Sequence, residues 1–290
     1  MAKENITLSS NIAGNPREID FVTKFGDNWQ GLLNIMGVSN MVEQAPGTAL
    51  HVKKGGITLA STVAEGELIP LSSASVTDEA IGTITIEKYA KEVTGEAIQK
   101  YGYDIAVEKT DKAFENALRS KVMDKFYTFL ATGSLTGTAT GVQSALALAN
   151  GNVRNAFGTL NLDITGVVGF MNILDFYTYL GGASITVQNE FGYNYVKNFL
   201  GYDVLFLCPS NQISQNTVIA TAIDNIIGYY VNPANSDFAK AGLQFTTDNV
   251  APIIGAHVEG DYDYFGSKMN AILGITLSAE YLYGICVMTI

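Results

Sequence analysis

The chain has 290 residues, room for one large domain or two modest ones sharing a core, with 47% hydrophobic and only 16% charged residues. No uninterrupted apolar run reaches the length of a membrane helix, so the apolar surface is expected to be buried in a core or against other subunits. A net charge of −11, from 17 Lys+Arg against 28 Asp+Glu, excludes a protein whose main task is gripping nucleic acid, because that grip needs clustered cations.

Residues 1–16 are polar and close on Gly14-Asn15-Pro16, which reads as a loose arm. A helix is predicted from about Arg17: Phe21, Phe25, Trp29, Leu32 and Met36 recur at steps of three and four and share one face, and Gly37 offers the stop. That stripe faces either the chain's own core or a neighbouring subunit. From Thr48 to Val93 the character changes to β. His51-Val52-Lys53-Lys54-Gly55-Gly56-Ile57-Thr58-Leu59 and Ile81-Gly82-Thr83-Ile84-Thr85-Ile86 flank polar, Gly- and Ser-rich pieces, predicting a long hairpin with a broad tip. An isolated two-stranded ribbon is marginal in water, so such a hairpin is expected to lie on a partner surface.

The spacing next predicts a long helix from about Asp104 to Leu130, with Phe114, Leu118, Val122, Phe126 and Leu130 forming one apolar stripe. At ~1.5 Å per residue it would span roughly 40 Å. Asp104 is positioned to be its N-cap, and Glu108–Lys112 and Glu115–Arg119 have the favourable i,i+4 order. Ser134–Asn161, small, polar and Gly-rich, reads as a connection between subdomains. Asp163–Leu180 reads as a helix capped by Gly181-Gly182. Short strands are expected at Ser184–Val187, Val204–Phe206, Val218–Ala222 and Ile226–Val231. The turn-rich Asn232–Asp237 precedes another at Leu243–Thr246, and Ile253–Ile290 holds two or three more. Helices and strands mix without a βαβ rhythm, so the fold class is α+β.

Catalytic patterns are missing: no phosphate-binding glycine loop, no dinucleotide fingerprint and no nucleophile elbow occurs. His51 and His257 stand far apart, neither with a His or Cys at metal-ligand spacing, and read as ordinary strand or loop residues. Cys208 and Cys286 are too few for a disulfide framework, and each lies in an apolar stretch. A Cys208–His257 nucleophile pair is outweighed by the hydrophobic residues before Cys208 and Pro209 after it, which favour an inert buried thiol. Glu65-Gly66-Glu67 reads as a solvated tip or a rim for inter-subunit ion pairs rather than a cation site. Asp261-Tyr262-Asp263-Tyr264 would place two carboxylates on one strand face, but no third ligand accompanies them. Lys53-Lys54-Gly55-Gly56 is explained by a hairpin turn. The sequence therefore assigns no catalytic, cofactor-binding or metal-binding residue, and no cofactor. The N-terminus lacks the apolar core of a signal peptide, which implies synthesis in a cytoplasm.

The order of elements (arm, helix, long β-excursion, very long helix, mixed α/β region, terminal strands) resembles the major capsid proteins of tailed bacteriophages, the Hong Kong ninety-seven-type fold shared with encapsulins. Glu65–Leu71 followed by Ile84–Lys91 is similar to that family's extended loop and return strand, residues 104–131 to its spine helix, and Asn225–Tyr230 through Phe245–Asp248 to the later half of its axial domain. The resemblance implies an N-terminal arm and helix over 1–40 and the extended loop and spine helix of a peripheral domain over 41–133. An axial domain would cover 134–251, and C-terminal strands over 252–290 would return to the peripheral domain. It implies a non-enzymatic subunit of an icosahedral shell around double-stranded DNA, assembling with itself as hexamers and pentamers, located in the virion and made in a bacterial cytoplasm. Portal and a separate scaffolding protein are the further expected partners; DNA is enclosed without sequence-specific binding, and no membrane is involved. A helix begins almost at once here, where many members carry a scaffold-like segment of about a hundred residues, so either a separate scaffold or prior cleavage is expected. No catalytic carboxylate marks a Lys–Asn crosslink, so none is expected. The competing readings are an encapsulin-like compartment and a hydrolase or binding protein with an unfamiliar site.

Overall fold

A computed structural model describes residues 16–35, 40–181, 187–190, 193–234, 236–248 and 252–290. The arm, the expected stop at Gly37, Met36 of the first stripe, Gly182 of the expected cap and most of the expected strand at Ser184–Val187 lie outside the described residues. Helix α1 (Pro16–Ile35) buries Phe21, Phe25 and Trp29 of the expected stripe, and with them Val22 and Leu33, which the stripe did not include; the Leu32 side chain lies outside the described residues. Its stripe turns inward, into the chain's own core.

Strand β1 (Asn40–Glu43) precedes the hairpin of β2 (Ala49–Thr58) and β3 (Ser73–Thr83), and β4 (Glu87–Thr94) follows. The Lys53–Gly56 run is mid-strand and not a turn: Lys53 registers with Asp78, and the pairing continues unbroken to Thr58 opposite Ser73. Glycines that look like turn formers are here accommodated inside a long ribbon. The expected helix from Asp104 also needs correcting. The chain is already helical before it, in α2 (Gly95–Tyr101), whose N-cap Thr94 accepts a hydrogen bond from the Ala97 amide. After Gly102, at φ +82°, residues Asp104–Glu108 wind as a π turn and lead directly into α3 (Lys109–Leu130). Tyr103 already has helical dihedrals, so Asp104 has no exposed first turn to cap. The stripe itself is as expected: Leu118, Val122, Phe126 and Leu130 are buried, and half-buried Phe114 stacks on Phe21 at 6.0 Å.

Two further expectations give way. Ser134–Asn161 is not a connection but strand β5 (Leu135–Thr138) and helix α4 (Val142–Thr159). Ala145, Leu146, Ala149, Val153 and Phe157 form an inward face there, while Gly151 and Gly158 have open space beside them. Asp163–Leu180 is not one helix but strand β6 (Val167–Asn172) followed by α5 (Ile173–Leu180), whose start is capped by Asn172 Oδ1 accepting from the Leu174 amide at 2.8 Å. All six residues of β6 are buried, so no alternation marks it as a strand.

The remaining strands are β7 (Gln188–Glu190), β8 (Tyr193–Phe199), β9 (Tyr202–Cys208), β10 (Thr217–Ala222), β11 (Ile226–Tyr230), the two-residue β12 (Thr246–Thr247) after helix α6 (Ser236–Lys240), and β13 (Ile254–Asp261), β14 (Gly266–Leu273), β15 (Ile275–Ala279) and β16 (Ile285–Thr289). The C-terminal run thus holds four strands rather than two or three, and Leu243–Phe245 precede β12 without strand geometry. Among the described residues the strands form four sheets: β5-β16-β10-β6-β9-β8-β7, β12-β13-β14-β4, β1-β11-β15 and the hairpin β2-β3. In the seven-stranded sheet alternate residues face opposite ways. Val167, Met171, Leu205, Leu207, Val218 and Ala220 pack with α4 and α5. Val168, Phe170, Phe206 and Ile219 join the core of α1 and α3, where Phe170 stacks on Phe206 at 5.4 Å and meets Phe126 edge-on. The sheet is therefore the middle layer between two helical ones. The terminal residues serve three sheets: β13 and β14 pair beside β4, β15 beside β11, and β16 between β5 and β10.

Candidate interaction surface

The hairpin is anchored at its foot and bare above it. Leu50 and Ile84 are buried with Val231, and Ile81, Ile86 and Tyr229 pack around them. Just above this foot the register slips: Leu50 pairs with Gly82 and His51 with Ala80, so Ile81 is the extra residue of a bulge, next to Gly82 at φ +146°. Beyond the slip the ribbon carries its apolar side chains in the open. Ile57, Leu59 and Val76 are exposed, and at the tip Leu68, Ile69 and Leu71 are 93%, 79% and 95% exposed. A monomer rarely shows such a continuous apolar strip, which marks an interaction surface. Glu65-Gly66-Glu67 forms the turn at that tip, with Gly66 at φ +86° and Glu67 accepting from the Ala64 amide at 3.4 Å. No cation occurs between Leu59 and Ser72.

A network that sequence reasoning missed holds α1 and α3 against the four-stranded sheet. The Asp111 carboxylate accepts from Arg17 Nε (2.5 Å) and Nη2 (2.8 Å) and also pairs with Lys91 Nζ, which donates to Thr110 Oγ1 as well. Arg17 Nη1 continues to Ser267 Oγ at 2.9 Å. Burial pushes the Asp111 carboxyl up, but hydrogen bonds from Arg17 and Lys91 outweigh it and leave the group below the usual carboxylate range. Glu18, also buried, accepts from Thr246 Oγ1 at 2.6 Å and from the Val258 amide, tying the start of α1 to β12 and β13. Glu115 is a buried carboxyl of another kind: desolvation outweighs attraction from Arg119, Lys24 and Lys112 and raises its pKa. Arg17 and Asp111 lie 94 positions apart, so nothing local in the sequence relates them.

The residues that the sequence singles out for chemistry stay dispersed. His51 in β2 lies 3.2 Å from Asp78 across the ribbon, whereas His257 in β13 lies 3.6 Å from Glu18. Cys208 is wholly buried, donates to Tyr127 Oη at 3.2 Å, and has its thiol pKa pushed up to about 12 by burial. Cys286 is buried beside Asn152. Asp261 and Asp263 do not share a strand face: β13 ends at Asp261, whose Oδ1 accepts from the Asp263 and Tyr264 amides at 3.0 and 3.2 Å and so shapes the β13–β14 turn. Tyr262, Tyr264 and Phe265 project from that turn into solvent. Among the described residues no three His, Cys, Asp or Glu side chains converge as metal ligands, and no helix is long and apolar enough to cross a membrane.

No protein-family profile and no curated protein sequence matches the chain. Solved structures do. A chain from the capsid structure of the cyanophage P-SCSP1u superposes with a TM-score of 0.57 at 10% identity, over 86% of this chain and 85% of that one. A chain of the mature capsid of bacteriophage PhiM1 gives 0.54 at 8% identity, over 87% and 86%. The virus-like particle from Pyrococcus furiosus gives 0.50 at 11% identity, over 93% and 100%. Likeness over most of both chains at such low identity is likeness of fold: this chain has the phage capsid fold, mixed helix and strand, that its order of elements resembles.

Proposed function

We propose that this chain is the major capsid subunit of a tailed bacteriophage, a structural protein that assembles with itself into the shell enclosing the phage's double-stranded DNA. The observation that carries this reading is the hairpin: on a capsid-type fold, a ribbon too thin to be stable alone holds Leu68, Ile69 and Leu71 in water. Covering that strip requires another molecule, and the supply of identical molecules in a shell provides it. In this reading the hairpin, β4 and α3 belong to the peripheral domain of residues 41–133, joined by β13 and β14 from the 252–290 strands, whereas β16 of that run crosses into the seven-stranded sheet. The axial domain over 134–251 is centred on the seven-stranded sheet, and residues 1–40 supply the arm and first helix. Heterologous contacts of this kind close into rings, here the hexamers and pentamers of a shell. The subunit does no chemistry of its own; portal and a separate scaffold are its further partners, and its acidic balance suits a wall that contains DNA without gripping it.

Electron microscopy of the purified protein with sedimentation alongside, without and with the candidate scaffold from the same genome, tests the proposal. Shells, rings or tubes of capsomers are expected. A particle-free monomer or dimer under both conditions refutes it. Deleting Thr62–Ser75 is expected to leave a folded subunit that does not assemble, and normal particles from that deletion would remove the hairpin from the proposal.

A further inference from the structure

Helices α1 and α3 meet along a seam that is fastened at one end and open beyond it. Phe21 stacks on Phe114, and Arg17 in the first turn of α1 is paired with Asp111. Past these contacts a cleft of about 700 Å³ runs between the helices, lined by Asp20 and Lys24 from α1 and by Glu108, Lys112, Glu115 and Arg119 from α3. Asp111 and Glu115 stand one helical turn apart and both border this cleft, but their surroundings differ. Asp111 accepts hydrogen bonds from Arg17 and Lys91. Glu115 is 8% exposed and accepts no hydrogen bond among the described residues. The charged groups that face it are Lys112 and Arg119 on its own helix and Lys24 and Asp20 across the seam, three attracting it and Asp20 repelling it.

We propose that Lys24 is a proton-dependent latch between the two helices: it stays on Asp20 while Glu115 is protonated and crosses the cleft to Glu115 when that carboxyl ionises. Three observations support it. Lys24 is weakly held where it stands, because its 2.6 Å pair with Asp20 joins side chains that are 60% and 65% exposed, and a solvated pair of this kind contributes little. Glu115 has the greater need, because an ionised carboxylate withdrawn from water without a donor is costly. Lys24 also borders the same cleft from the opposite helix, so the transfer needs a side-chain movement and no unfolding. The arrangement with Lys24 on Asp20 and Glu115 bare is then the protonated, unlatched one. Burial holds the Glu115 carboxyl above the usual range, so the crossing falls above the ~4.3 of a free glutamate and relieves part of the cost of ionisation. At neutral pH α1 thereby gains a second tie to α3, one turn beyond Arg17–Asp111, and it loses that tie in acid. Because residues 1–15 lead into α1, the latch sets how firmly the start of the chain is attached to the long helix.

The first test requires no variant. The purified protein is treated with a carbodiimide, which joins an amine to a carboxylate without a spacer, at about pH 4.5 and about pH 7.5, on either side of the expected crossing. Mass spectrometry of the linked peptides should show Lys24 joined mainly to Asp20 at the lower pH and mainly to Glu115 at the higher. The second test is a pair of double-mutant cycles in chemical denaturation. Lys24→Met and Glu115→Gln should be non-additive by about threefold in the unfolding constant at the higher pH and additive at the lower. Lys24→Met with Asp20→Asn should show the reverse. His257 lies 3.6 Å from Glu18 and is a second titratable group against α1. In a His257→Gln background the coupling of Lys24 to Glu115 should keep its pH dependence. A Lys24–Asp20 link that predominates at both pH values overturns the latch, as does additivity of Lys24→Met and Glu115→Gln at both. A pH dependence that disappears with His257→Gln also overturns it, because the sensor is then the Glu18–His257 pair.

Discussion

Removing the apolar tip should separate assembly from folding cleanly. In Leu68→Ala/Leu71→Ala the two side chains lost are 93% and 95% exposed in the subunit, so the fold has almost no stake in them. Surface changes of this kind shift subunit stability by no more than about 0.5 kcal/mol. In a shell where both leucines are covered, each substitution deletes three buried carbons, about 2.4 kcal/mol at ~0.8 kcal/mol apiece, or about 5 kcal/mol for the pair. At ~1.4 kcal/mol per factor of ten, the critical concentration for assembly rises by about three orders of magnitude. Sedimentation velocity across a concentration series reads the assembly threshold, and thermal unfolding of dissociated subunits reads the fold. An unchanged melting temperature with a threshold raised at least tenfold is the expected pair of results. Assembly at the wild-type threshold would refute the reasoning, because the tip would then remain in water in the particle.

Asp111→Asn leaves Arg17 and Lys91 facing each other without their shared carboxylate and should cost about 3 kcal/mol in chemical denaturation. The folded pKa of Asp111 lies below its unfolded value of ~3.9, so its contribution is complete above that pH and lost as pH falls through the folded value. The variant should therefore show a flatter acid limb than wild type. Glu115 has the opposite sign. Its folded pKa lies above the unfolded ~4.3, so wild type loses stability as pH rises through that window. Glu115→Gln should melt on the order of 2 °C higher at pH 7 and no higher at pH 4, read by calorimetry. With the Cys208 thiol pushed to about 12 and Cys286 buried, a thiol reagent at pH 8 should label the native subunit at neither site until denaturant is added.

Sequence alone carried whatever depends on neighbours along the chain. The α3 stripe was legible because Leu118, Val122, Phe126 and Leu130 return to one side every four residues, and the hairpin because β-forming runs flank a polar, glycine-bearing tip. The capsid-type layout followed from the order of those two long elements. Local signals failed where burial was two-sided or small residues disguised it. Strand β6 is covered on both faces and so lacks alternation, and α4 hides its inward row of Ala145, Leu146, Ala149, Val153 and Phe157 among glycines and asparagines. The candidate surface was half legible. The hairpin was placed, but its tip was read as polar, so exposed Leu68, Ile69 and Leu71 went unmarked, and the ion cluster joins Arg17, Lys91, Asp111 and Ser267 from distant elements. That grouping came only with the folded chain, because strand register and helix docking are set by long-range complementarity of buried faces, which no stretch of chain carries alone.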